Sequence, residues 1–241
     1  MTEHISRKDL KTDEFRETIA HGAEEIVLHK QGVAIFLGAA IVILAAVLGW
    51  RLYTDHQTVK SAAAYDDAMK SFKAPLHTVG MPADSTELTY ADDKTKYDDA
   101  AKKFESVAQK YPHTRPGQIS AYYAGLSLAK NGHNDDAVKW LDRAQSSGGD
   151  DVGSLAKLEL AQLDDATSKP SDAEKIYQDL IAHPTVFVPK PVAMLALADH
   201  YRTLSKPADA AKLYNQIKTE FPDTNIATQA TQSAAMLPGQ S

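Results

Sequence analysis

The residues best suited to acid–base or metal chemistry are nine histidines and two adjacent carboxylate pairs, Asp98-Asp99 and Asp135-Asp136. No two histidines stand at metal-ligand spacing with a carboxylate nearby. The chain has no His-Glu-x-x-His, no Gly-x-Ser-x-Gly and no glycine loop ending in Lys-Ser or Lys-Thr to cradle phosphate. With 0 cysteines, thiolate zinc sites, cysteine nucleophiles and disulfides are excluded together, although this does not fix the compartment. His200, beside Tyr201, reads as a solvated or packed side chain. The acidic pairs precede helical patterns, where carboxylates satisfy free N–H groups and complement the helix dipole. A net charge of −6 offers no basic stripe for nucleic acid. These residues predict a binding or scaffolding protein, not an enzyme, with no cofactor and no metal. A hydrolase site between the helices and the 74–93 segment is the enzymatic alternative.

The elements that position these residues repeat. Asp-Ala recurs at Asp99-Ala100, Asp136-Ala137, Asp172-Ala173 and Asp209-Ala210, at spacings of about 36 to 37 residues. Four residues after each alanine stands Phe104, Leu141, Tyr177 or Tyr214. Three further on stands Val107, Ala144, Leu180 or Ile217, and then a breaker: Pro112, Gly149, Pro184 or Pro222. Small, large and medium apolar residues at i, i+4 and i+7 share one helical face. Upstream, Ala124-Gly125, Leu160-Ala161 and Leu197-Ala198 keep a constant interval from the next Asp-Ala and mark a partner helix. Asp164 breaks that face in the third unit, where a large residue is expected.

Over roughly residues 95–222 the pattern resembles the tetratricopeptide repeat (TPR) family. The resemblance implies an all-α architecture, a TPR-like α-solenoid of stacked helix pairs. The first unit departs from it: Ala74–Asp93, with Pro75, Gly80 and Pro82, reads as a loop. Its missing helix is expected over 56–73, where Ala62, Tyr65, Met69 and Phe72 share a face. A small-residue capping helix is expected over Ile226–Met236.

Gly32–Trp50 is a run of nineteen residues without a charge, long enough to cross the ~30 Å core of a bilayer as one transmembrane helix. Lys30 precedes it, and Trp50, Arg51 and Tyr53 form its far boundary. A buried core helix and a cleaved signal peptide are the alternatives. The run starts late for a signal peptide, and no flanking segment is apolar enough to enclose it. Arg7, Lys8, Lys11, Arg16 and Lys30 on the N-terminal side outnumber Arg51 and Lys60 on the other, which favours a cytoplasmic N-terminus. The division expected is a cytoplasmic amphipathic segment at 1–31, a transmembrane helix at 32–53, a repeat domain at 54–236 and a disordered tail at 237–241.

TPR arrays commonly bind on the inner face of their first helices. Here that face is expected to hold Tyr122, Tyr123, Leu126, Leu155, Leu158, Leu195 and Arg202, an apolar and aromatic groove suited to extended chain segments or another protein's surface. Packing against neighbouring helices is the alternative for each. The anchor's exit, Gly49-Trp50-Arg51-Leu52-Tyr53 and then His56-Gln57 and an alanine-rich helix with Tyr65, resembles the YfgM-type ancillary subunit family of the bacterial Sec translocon. The resemblance implies an inner-membrane protein with a periplasmic TPR-like domain. It also implies partners: the SecYEG channel, periplasmic chaperones and nascent exported proteins. A TPR scaffold for envelope assembly or cell division is the other reading.

Overall fold

The computed structural model describes residues 30–77 and 88–238, and its contacts separate a unit Met1–Asp55 from a unit His56–Ser241. Among the described residues there are nine α-helices. They are α1 (Lys30–Lys73), α2 (Asp93–Lys110), α3 (Arg115–Lys130), α4 (Asn134–Ser147), α5 (Gly149–Ala166), α6 (Pro170–Ala182), α7 (Lys190–Thr203), α8 (Pro207–Glu220) and α9 (Asn225–Ala235). The amphipathic segment expected at 1–31 lies almost wholly outside the described residues, as do 78–87 of the expected loop.

In the first unit, α1 is long and apolar enough to cross a membrane. None of its apolar side chains from Ile35 to Leu48 is buried, and Phe36 and Val42 are 74% and 67% exposed. The helix does not stop at the expected boundary near Tyr53 but runs on to Lys73. No proline or glycine lies between Trp50 and Lys73 to break it.

In the second unit, the end of α1 pairs with α2, α3 with α4, α5 with α6 and α7 with α8, while α9 packs on the last pair. The predicted helical face is the core. All of Ala100, Phe104, Val107, Ala137, Leu141, Ala144, Ala173, Tyr177, Leu180, Ala210, Tyr214 and Ile217 are at most 4% exposed. Burying such side chains contributes roughly 1.5–3 kcal/mol for each large one, which is what holds one pair on the next. The small residues set the spacing. A Cβ added at Gly125 of α3 would come within 2.6 Å of the Leu141 side chain, so glycine is what lets α3 and α4 approach. The face of α1 that meets α2 is centred on Ser61, Tyr65, Ala68 and Phe72, with Ala62 only half-buried at its edge. Asp164, where the pattern wanted a large residue, is half-buried, 3.7 Å from Lys169, and burial raises its carboxyl above the usual range.

Helix ends follow from local chemistry. Asp92, Thr114 and Thr224 each accept a hydrogen bond from a backbone N–H of the first turn. Prolines enter the first turns of α3, α6, α7 and α8, where no N–H is needed. Within the last three pairs the chain turns through one left-handed residue: Gly132 (φ 77°), Ser168 (φ 62°) and Ser205 (φ 57°). In each turn the following residue's N–H reaches back five positions, from His133 to Leu128, from Lys169 to Asp164 and from Lys206 to Tyr201. Of the 74–93 segment, the described ends close on each other through a bridge between Leu76 and Tyr90. The disordered tail expected from Leu237 is corrected at its first residue. Leu237 is 5% exposed and belongs to the core of the last pair, because an apolar side chain directly after α9 caps the open end of the stack.

Candidate functional site

The first helices of successive pairs present two cavities. One, of about 220 Å³, is lined by Tyr65 of α1, Ile119, Tyr122 and Tyr123 of α3, Val152 and Leu155 of α5, and Phe187 from the α6–α7 connection. The other, of about 400 Å³, lies between α5 and α7 against Tyr177. Its apolar wall is Leu158, Val192, Leu195 and Ala196, and Gln162, Asp165, Asp199, His200 and Thr203 supply its polar atoms.

The expected groove residues divide between these spaces. Tyr122, Tyr123 and Leu155 line the smaller cavity, and Leu158 and Leu195 line the larger. Leu126 is half-buried on α3, one turn beyond Tyr122, and lines neither. Arg202 is exposed, with its Nε 3.4 Å from Asp199. Two residues also serve as packing. The Tyr123 ring stacks on Phe104 with centroids 5.1 Å apart, and Leu195 is only 7% exposed within the core of the last pair. Of the anchor boundary, Trp50 and Arg51 are exposed on α1; the side chains of Lys30 and Tyr53 are not among those described.

Three residues that the sequence pattern did not single out as site residues give the groove its polarity. Asp165, in the last turn of α5, accepts hydrogen bonds from His200 Nδ1 at 2.6 Å and from the Tyr177 hydroxyl at 3.0 Å. The Asp165 contact places a ring proton on Nδ1. His200 Nε2 is buried and has no hydrogen-bond partner. His200 is thus the packed histidine the sequence suggested, in an Asp–His pair with no hydroxyl nucleophile at Nε2; the nearby Thr203 hydroxyl is spent on the His200 carbonyl. The third residue is Glu159, on α5 between the two cavities. Burial pushes its carboxyl above the ordinary range, opposed only by the charge of Lys130. Its own charge helps burial to raise both the Tyr122 and the Tyr177 hydroxyls.

The carboxylate pairs do structural work. Asp98 takes a hydrogen bond from the Asn131 amide, and Asp99 from the Tyr90 hydroxyl at 2.5 Å. Asp135 and Asp136 occupy the first turn of α4, and Lys139 donates to Asp136 at 2.8 Å. Among the described residues no group of three or more His, Cys, Asp or Glu could hold a metal ion. Asp165 and His200 had a signal in the sequence: they lie 35 residues apart, close to the repeat period, at the ends of successive first helices.

Comparison with known proteins matches residues 28–188 to a tetratricopeptide repeat-like domain and residues 158–224 to a tetratricopeptide repeat. A solved structure from Podospora anserina, of nearly identical TPR-like repeats named for kinesin light chain, superposes with a TM-score of 0.52. It covers 73% of this chain and 84% of that one at 13% identity, a likeness of fold alone. Among curated proteins no relative matches the sequence.

Proposed function

The chain belongs to the tetratricopeptide repeat-like domain family, and from that premise we propose a membrane-anchored protein-binding module that assists exported proteins at the Sec translocon. TPR domains are protein-interaction modules, and the observation that carries the reading here is the pair of apolar cavities on successive first helices. Their walls are the tyrosines and leucines that suit extended polypeptide. The uncovered apolar surface of α1 supports the anchor, since a side chain such as Phe36, left 74% exposed in water, gains what burial in hydrocarbon supplies. The excess of Lys and Arg before the span supports a cytoplasmic N-terminus and a periplasmic domain in a bacterial inner membrane. Anchoring holds the groove beside its partners at high effective concentration, so that weak contacts suffice. Association with SecYEG and periplasmic chaperones rests on the Gly49-Trp50-Arg51 exit and its resemblance to the YfgM-type family.

A photo-crosslinking residue at Tyr122, in native membranes, tests this reading by the identity of its adducts. Adducts to the translocon channel, a periplasmic chaperone or emerging chains are expected. Adducts only to cytosolic proteins would overturn the orientation, and adducts to division or envelope-assembly factors would replace the translocon with the scaffold reading.

A further inference from the structure

The connection between α6 and α7 departs from the repeat. It spans 183–189, seven residues, where α2–α3 and α8–α9 are joined by four and α4–α5 by one. Insertions of this kind collect on one face of a repeat array, often the face that binds. This one is a built turn. The Thr185 N–H donates to the Val188 carbonyl and the Val188 N–H to Thr185 Oγ1, both at 3.1 Å. Thr185 Oγ1 also meets Ser154 Oγ of α5 at 2.7 Å, and Val188 is buried against Leu180 and Ala193. Between those anchors the turn holds out Val186 and Phe187, 79% and 48% exposed. In the second unit no described large apolar side chain is more exposed than Val186. Two adjacent apolar side chains fixed in water forgo the ~25 cal/mol per Å² that burial supplies.

Phe187 lines the smaller cavity, whereas Val186 borders a separate recess of about 610 Å³ at the N-terminal ends of α5 and α7. Pro184, Pro189, Pro191 and Phe221 supply its apolar wall. Asp150 and Asp151, in the first turn of α5, edge it on one side, and Lys190, the first residue of α7, on the other. Neither acid has an ion pair among the described residues. Lys190 keeps two N–H groups beyond the one it gives Glu220. A protruding apolar side chain thus stands beside an apolar hollow, with acid on one side of the patch and base on the other. Such a patch is its own complement. A two-fold rotation about its centre sets each Val186 over the other copy's recess, and each Lys190 over the other's Asp150 and Asp151. We propose that this turn is an isologous contact through which two copies of the chain pair. A partner of one charge, or a bare apolar peptide, would match part of the patch and leave the rest unmatched. The contact stands apart from the groove and does not rest on it. One such knob per copy is small beside the ~800 Å² per partner of a standard interface, so the dimer is weak and is read best by trapping.

The test uses the purified full chain in detergent micelles, where any adduct joins two copies. Val186→Cys supplies the only thiol, and a short bismaleimide is the crosslinker. Dimer yield is expected to exceed that of Lys139→Cys, a 74% exposed position on α4, by at least about fivefold. Chance sharing of a micelle raises both positions alike. Adding Lys190→Glu should cut the yield at least about threefold, since symmetry removes two exposed ion pairs at once. Asp150→Lys in the same chain should restore it. A yield no higher than the reference would overturn the proposal, as would a yield indifferent to Lys190→Glu or a loss that Asp150→Lys leaves in place. Slow maleimide labelling of Val186→Cys in native membranes, with no crosslinked dimer, would give the patch to a different protein and overturn it equally.

Discussion

At the scale of single residues, the groove is held by buried polar groups whose contributions differ in sign. Asp165 is a hub: removing it leaves the His200 Nδ1–H and the Tyr177 hydroxyl without their acceptor. Asp165→Ala is expected to cost about 2–4 kcal/mol, read as a lower urea midpoint with little change in slope. Glu159 acts in the opposite sense. Its folded-state value is raised by burial, so the folded chain holds a proton that the unfolded chain has already released. The stability this gives is complete below the unfolded carboxyl value and is lost as pH rises through the folded one, so at neutral pH the ionised group opposes folding. Glu159→Gln should therefore raise stability at pH 7 by about 0.5–1 kcal/mol, a rise in Tm of about 2 °C, with the gain vanishing towards acid pH. The Tyr201 and Tyr214 hydroxyls, donating to Glu174 and Asp199 at 2.8 and 2.7 Å, are both pushed up to about 12, chiefly by burial, and stay neutral throughout this range.

At the scale of elements, the repeat could be read from the chain because it is a packing pattern. Asp-Ala followed by a large and then a medium apolar residue encodes a helical face, and the alanine, the large and the medium position are buried in all four repeats. The turns inside the pairs were less legible. Only Gly132 announces a left-handed residue by its type; Ser168 and Ser205 adopt the same backbone in the same place with no such signal. The constraint comes from tertiary structure, since each of the last three pairs closes with the same reach-back hydrogen bond. A serine there carries Cβ strain of about 1–2 kcal/mol that glycine avoids, partly offset by glycine's greater freedom in the unfolded chain. Ser205→Gly is accordingly expected to stabilise by roughly 0.5 kcal/mol, measured by thermal unfolding; a loss of stability would show that the serine side chain contributes something else at that turn. Glu159 was illegible for a different reason. A carboxylate on a first helix looks like a solvated face until the neighbouring helix is placed beside it. Leu237 was misjudged because a short tail carries no period, and only the uncovered end of the last pair gives it a place to pack.

At the scale of the whole molecule, a solenoid built from four pairs and a cap joins a helix whose apolar surface is left uncovered. Each pair buries its neighbour's face, and the proposed groove lies on the first helices. On the proposed reading the repeated geometry of α3, α5 and α7 has one account: the face they share is kept for another polypeptide. That claim can be tested directly because the chain contains 0 cysteines, so one introduced thiol is the only one to label. The measurement is the maleimide alkylation rate of Leu126→Cys, on the helix that carries Tyr122, in native membranes and in the purified protein. Lys139→Cys, at a side chain 74% exposed on α4, serves as the reference. The account predicts that Leu126→Cys is alkylated at least about fivefold more slowly in native membranes than when purified, while Lys139→Cys is unchanged. Equal ratios at the two positions would contradict it, since the inner face would then be no more occupied by a partner than the outer one.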